Sequence, residues 1–253
     1  MLEIVDVTAD NVHEKGFFCM RSKPKSEGYK RKLSWLLKRF EEGLKLKVIE
    51  EDGQPKGFIE YLPIEHAWRT VEGENYLFIH CLWIVGRSKG KGYGKLLLNE
   101  CLDDARRSHK SGVAIMTSSQ TWLADQQYFI KNGFELVDHA PPSFELLVHR
   151  FDDKPHPVFI HGWEDRAAAY SEGITVFASD QCPYIYDAIA TILEVAEERN
   201  LQANVIHLES AQNAKQAVSA YGVFNVTFNG KLLTYHPVHK RELNKLLDQA
   251  LQL

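Results

Sequence analysis

Between Gly86 and Lys95 the chain reads Gly-Arg-Ser-Lys-Gly-Lys-Gly-Tyr-Gly-Lys. The run follows a strand-like stretch, Tyr76 to Val85, and leads into a helical pattern, Gly94 to Ser108. A strand feeding a glycine-rich turn into a helix start is an anion site, because unpaired backbone N–H groups and the helix dipole face the turn. Glycine lets the backbone approach a phosphate closely, and Arg87, Lys89, Lys91 and Lys95 add positive charge. The run is not a Walker A loop, since no Gly-Lys-Ser/Thr closes it, and its third glycine is misplaced for a dinucleotide-binding turn. From the glycines alone, a phosphate cradle and a plain surface turn with lysines both remain open.

Proton-transfer candidates sit just upstream. His80 lies two residues after Phe78, on the same face of the strand, and an imidazole suits a base near neutrality. The alternative is a buried, hydrogen-bonded core histidine. Glu60 lies in Gly57–Leu62, on a strand expected to neighbour Tyr76–Val85, with a solvated strand face as its alternative. Glu65 and His66 follow in a loop expected over the cleft. In the second half, Ser179-Asp180-Gln181-Cys182-Pro183-Tyr184-Ile185 joins a strand to a helix. A cysteine at a helix start has its thiolate stabilised by the dipole, although Cys182 also reads as a partly buried, inert residue.

Elements with the right periodicity surround these residues. Strands are predicted at 2–7, Lys45–Glu50, Gly57–Leu62, Tyr76–Val85, Gly112–Thr117, Phe134–Val137 and Phe144–Phe151. Helices are predicted at Ser26–Leu44, Gly94–Ser108 and Trp122–Lys131, the last ended by Asn132-Gly133. Glu51 to Pro55 reads as a turn. The prolines and charges of residues 151–157 suggest a linker. Beyond it the pattern restarts: strand Ile174–Ala178, helix Pro183–Asn200, strand Ala203–Leu208, helix Gln212–Ala220, a hairpin around Asn229-Gly230 and a closing helix His239–Leu251. The fold class is α/β with a mixed sheet, followed by a second small α/β unit. The predicted domains are 1–152 and 153–253.

Bulk properties narrow the function classes. The chain has 253 residues, 44% hydrophobic and 25% charged, enough to bury a core without disulfides or metals. A net charge of −4 disfavours a general nucleic-acid binder. The four cysteines, Cys19, Cys81, Cys101 and Cys182, form no CxxC pair and give no zinc signature. No apolar run is long enough for a membrane span, and the amino terminus lacks a signal-peptide pattern. The expectation is a cytoplasmic protein without nucleic-acid or membrane partners.

The stretch Leu82 to Leu98 resembles motif A of the GNAT N-acetyltransferases, Gln/Arg-x-x-Gly-x-Gly/Ala after the fourth strand. Lys89-Gly90-Lys91-Gly92-Tyr93-Gly94 fits it, with Lys89 replacing Gln/Arg. Ala124 to Glu135 resembles motif B, and the two together cover residues 76–138. The resemblance implies a GNAT acyl-CoA N-acyltransferase fold and acetyl-CoA as co-substrate. It implies that the backbone of Leu82, Trp83 and Ile84 pairs with pantetheine while their side chains pack in the core. Lys89, Gly90, Lys91, Gly92, Tyr93, Gly94 and Lys95 would hold the pyrophosphate. The acceptor would be a small-molecule amine or a protein amino group. Phe129 occupies the position of the family's usual tyrosine acid, and helical geometry turns the adjacent Tyr128 ~100° from it. Phe78 stands where some relatives have a glutamate base, leaving His80 and Glu60 as substitutes.

Ala178 to Ile185 resembles the thioredoxin/glutaredoxin active-site turn, with Ile185 where the second cysteine would stand. The pairing of such a unit with a GNAT domain, Cys182-Pro183-Tyr184 and the strand Phe78 to Trp83 resemble the YoaP-type bacterial acetyltransferases. Two other readings stand beside the N-acetyltransferase: a non-catalytic acyl-CoA-binding sensor, and a thiol-dependent redox or trapping protein using Cys182.

Overall fold

The structure, a computed structural model, describes residues 1–120 and 123–252. The chain divides into two compact units. One comprises Met1–Pro24, Leu33–Ala67 and Val71–Phe159; the other comprises Lys25–Lys32, Trp68–Thr70 and Ile160–Leu253.

The elements of the first unit run β1 (Leu2–Val7), α1 (Val12–Lys15), α2 (Glu27–Glu41, in this unit from Leu33 onward), β2 (Lys45–Glu51), β3 (Gln54–Pro63), β4 (Val71–Glu72), β5 (Tyr76–Ile84), α3 (Tyr93–Arg107), β6 (Gly112–Ser118), α4 (Gln126–Ile130), β7 (Glu135–Ala140), β8 (Phe144–Arg150) and β9 (Val158–Phe159). Seven strands form one sheet in the order β1-β2-β3-β5-β6-β8-β7. Its neighbours are antiparallel except for β5 and β6, which run parallel. The short strands β4 and β9 pair separately. The turn predicted over Glu51–Pro55 tightens to Asp52-Gly53, whose φ values of 53° and 70° let two residues join β2 to β3.

Helix α3 buries Leu97, Leu98, Cys101, Leu102 and Ala105 against Ile59, Tyr61, Leu77, Ile79, Val113, Ile115 and Leu147. Strand alternation then puts Phe58, Glu60, Phe78 and His80 on the opposite face. There the Trp35 ring of α2 lies 6.3 Å from the His80 ring. Helix α4 is shorter than predicted because Asp125 caps it, its carboxylate accepting from the Gln127 N–H at 2.8 Å. Trp122, where that helix was expected to begin, and Thr121 lie outside the described residues.

The second unit contains α5 (Trp163–Ala168), β10 (Ile174–Ala178), α6 (Ile185–Glu198), β11 (Ala203–His207), α7 (Ala211–Lys215), β12 (Phe224–Phe228), β13 (Lys231–Thr234) and α8 (Lys240–Leu251). Its sheet has the order β11-β10-β12-β13, with β10 and β11 parallel and the remaining pairs antiparallel. Asn229 and Gly230, both at positive φ, close the predicted hairpin. Helix α7 stops at Lys215 rather than Ala220. A bend follows, in which the Ser219 hydroxyl accepts from the Tyr221 N–H at 3.2 Å.

Candidate functional site

The anion loop is assembled by backbone conformation. Gly86–Ser88 makes one 3-10 turn, Lys89 is extended, and Gly90 and Gly92 both adopt φ of +82°. These left-handed residues aim the chain into α3, which starts at Tyr93 with Gly92 as its N-cap. Beside both glycines the space is open: a β-carbon at either would meet nothing within 4 Å among the described residues. In the first turn of α3 the Lys95 N–H already donates to the Gly92 carbonyl at 3.0 Å, while the N–H groups of Tyr93 and Gly94 precede the first carbonyl acceptor of the helix and border a site with room for an anion. Lys91 and Tyr93 brace the loop against β2. The Tyr93 hydroxyl donates to Glu51, and Lys91 Nζ lies 3.2 Å from the same carboxylate. Those two donors, Tyr93 first, hold the Glu51 carboxyl below its ordinary range. Lys89 Nζ lies 5.6 Å over the Trp83 ring, and Lys95 is exposed.

Behind the loop the sheet opens. The parallel ladder of β5 and β6 ends at Ile79↔Ile115, although β5 continues to Ile84 and β6 to Ser118. Their outer edges remain paired, to β3 and β8 respectively. The inner edges beyond Ile79 and Ile115 therefore border a wedge with no ladder across it. Leu82, Trp83 and Ile84 line its β5 side by their backbone. Leu82 and Ile84 pack against the α3 core as expected. Trp83 does not: it is 52% exposed, because strand alternation turns it to the other face, where Phe58 is its cross-strand neighbour.

His80 and Glu60 come together at the apex of this wedge. Glu60 pairs with Cys81 and Tyr61 with Ile79, so His80 is the extra residue of a β-bulge. The bulge re-aims its ring, bringing Nδ1 to 3.4 Å from Glu60 Oε1. Both residues are buried, His80 to 4% exposure and Glu60 to 1%, so Glu60 does not lie on a solvated strand face. The Phe78 ring meets the His80 ring edge-on at 5.9 Å. Glu65, by contrast, accepts from the Asn75 N–H at 2.8 Å. Asn75 stands just before β5, at the strand end opposite the wedge, so Glu65 closes a turn there.

Tyr128 is the residue that sequence reasoning set aside. Phe129 is wholly buried in the core beside Phe134. The turn of the helix that separates the two residues carries the Tyr128 hydroxyl to the start of α3. An added β-carbon on Gly94 would lie 3.0 Å from Tyr128 Oη and 3.7 Å from Ile84 Cγ1. Among the described residues the buried hydroxyl has no hydrogen-bond partner, and burial raises its pKa above the usual tyrosine value. A buried unpaired donor costs about 1–3 kcal/mol, so its position between the start of α3 and Ile84, on the wall of the wedge, calls for an acceptor there.

In the second unit, Cys182 precedes α6 by three residues, its carbonyl accepting from the Ile185 N–H at 3.2 Å. It borders a cavity of about 10 Å³ with Arg31, Asp180, Tyr186 and His207, room for about one water-sized molecule. Arg31 Nη1 and Asp180 Oδ1 are 3.7 Å apart. Cys182 is not in a disulfide.

Residues 14–134 match the model of the acetyltransferase (GNAT) family. That part of the chain contains the loop, the wedge and the Glu60–His80 pair. Over nearly its whole length the chain is similar to a Bacillus subtilis protein described as uncharacterized N-acetyltransferase YoaP, with 29% identity over 247 residues, covering 96% of this chain and 98% of that one. It is also similar to the L-methionine sulfoximine/L-methionine sulfone acetyltransferase of Salmonella typhimurium, 30% identical over 110 residues, covering 44% of this chain and 61% of that one. Among solved structures, the PaiA N-acetyltransferase of Thermoplasma acidophilum in complex with coenzyme A covers 60% of this chain and 99% of its own, with a TM-score of 0.44 and 16% identity. YncA of Salmonella typhimurium with acetyl-CoA covers 62% and 97%, with a TM-score of 0.44 and 17% identity. No helix among the described residues is long and apolar enough to cross a membrane.

Proposed function

We infer that this protein transfers the acetyl group of acetyl-CoA to a primary amine, using the wedge between β5 and β6 as its active site. The observation that carries the reading is the alignment of three features along one strand. The open glycine loop lies at the mouth, unladdered backbone lines the wall, and the buried Glu60–His80 pair lies at the apex. The pyrophosphate fits the loop of Lys89 to Lys95, where open backbone at Gly90 and Gly92 meets the helix start of α3 and lysines flank the turn. Pantetheine fits along the backbone of Leu82, Trp83 and Ile84.

The chemistry needs one proton removed and one supplied. The amine nitrogen bonds to the acetyl carbon, its proton passes to the Glu60–His80 pair, and the carbon–sulfur bond breaks. Tyr128, held protonated by burial, donates to the departing sulfur. This donor favours catalysis over an acyl-CoA sensor, because it supplies the acid that Phe129 lacks.

The reading extends to the second unit as a thioredoxin-like domain, with the chain divided at 1–152 and 153–253. Its support is the sheet order β11-β10-β12-β13 with Cys182 in the turn before α6. A cytoplasmic bacterial setting fits four cysteines that all stand outside disulfides. Equilibrium titration with coenzyme A and turnover of acetyl-CoA against an amine panel test the reading together. Tight binding without transfer to any amine would favour the sensor instead.

A further inference from the structure

We propose that the acceptor is an arylalkyl primary amine, whose ring rests on an aromatic shelf of Phe18, Phe58 and Trp83 while its nitrogen reaches the Glu60–His80 pair. The proposal rests on the acetyl-transfer reading of the same site and names the substrate class it serves. The shelf lies on the sheet face that carries Glu60 and His80. Phe58 is the cross-strand neighbour of Trp83. Phe18 stacks on Phe58, with ring centroids 5.0 Å apart and planes inclined by 26°. Phe58 is buried, Phe18 is half-buried and Trp83 is 52% exposed, so the shelf has an apolar floor and an accessible edge.

Spacing and charge select the ligand. Phe58 precedes Glu60 by two residues on β3, so the two side chains stand side by side, ~7 Å apart along the strand. A two-carbon tether between ring and nitrogen spans that distance, whereas a side-chain amine on a polypeptide brings a longer aliphatic stem. The three shelf side chains are themselves uncharged, and buried Glu60 stands two residues from Phe58 on the same strand, which suits a basic amine head group. Trp83 already shows that its ring accepts an ammonium, since Lys89 Nζ lies 5.6 Å over it. Lys89 also belongs to the phosphate loop, so a bound pyrophosphate competes for it and clears that ring for the acceptor. A carboxylate on the acceptor would lie against aromatic ring faces, which repel negative charge.

The test uses the full chain with saturating acetyl-CoA, following thiol release and acetylated product by mass. The probes are 2-phenylethylamine, tryptamine, hexylamine, spermidine and L-methionine sulfone. The expected result is a kcat/KM for the two arylethylamines at least about tenfold above the other three. Phe18→Leu should raise KM for 2-phenylethylamine several-fold with little change in kcat, while KM for hexylamine stays the same. Transfer with equal or greater kcat/KM for the non-aromatic amines would overturn the inference and leave the acetyl-transfer reading intact. Coenzyme A binding with no transfer to any amine would overturn both.

Discussion

Replacing Gly92 by alanine separates the cost of a strained backbone from the loss of a phosphate contact. Gly92 sits at φ +82° as the N-cap of α3, and a β-carbon there would enter open space. Packing therefore adds no cost, and the folded protein loses only the αL penalty, about 1–2 kcal/mol. Gly43, at φ +89°, carries the same penalty far from the loop in sequence, since a β-carbon added there would meet only Pro63, at 3.4 Å. The two variants should lose equal stability in urea. Their coenzyme A affinities should differ. At Gly92 the new methyl blocks the approach of the phosphate to the backbone, forfeiting one charge-assisted hydrogen bond worth about 1.5–3 kcal/mol. That is about a tenfold to hundredfold rise in Kd, measured by isothermal titration on folded protein. Gly43→Ala should bind as wild type. Equal affinities for the two variants would refute the cradle and leave the loop a surface turn.

Tyr128→Phe should lower kcat about a hundredfold while leaving stability unchanged or raised, because it deletes a buried hydroxyl that has no partner among the described residues; a purely structural tyrosine would show the reverse, and stopped-time assays beside thermal melts distinguish the two. Lys47→Met should destabilise the fold by about 1 kcal/mol in urea titration. Burial opposes the Lys47 charge, yet Asp6 at 2.9 Å and Glu100 at 3.0 Å raise its pKa; both carboxylates are partly or largely exposed, and Asp104 keeps Arg107 and the Tyr61 hydroxyl, so water and those partners take over when the ammonium is removed. His149 is half-buried beside Phe134 and Phe151, and partial burial first, then the Arg106 charge, lowers its pKa. The unfolded chain thus takes up that proton first. Stability should fall as pH drops from ~6.5 towards the folded value, and His149→Phe should flatten that part of the pH–stability curve.

The loop and most strands were legible in the sequence because glycine spacing and apolar alternation are local signals. The same alternation placed His80 and Phe78 on one face. What brought His80 to Glu60 was not legible: the bulge between β3 and β5 depends on cross-strand register, which neither strand encodes alone. Trp83 was misjudged for a related reason. A strand buried at Leu82 and Ile84 reads as continuous apolar sequence, and only the sheet's partners show which face stays open. Tyr128 was discounted by helix rotation, and the rotation was right. Its consequence depended on where α3 begins, and hence on the tertiary position of Gly94. Helix α5 escaped notice because six residues hold too few turns for a periodic signal, although Glu164 and Asp165 in its first turn suit a helix start.

The most direct test of the central claim is the paired measurement of thiol release and acetylamine formation by wild type and Glu60→Gln. The wedge mechanism predicts one acetylated amine per thiol in the wild type. In Glu60→Gln, kcat should fall about a hundredfold with an unchanged coenzyme A Kd. Transfer by Glu60→Gln at the wild-type rate, or coenzyme A binding by the wild type without any acetylamine, would contradict it.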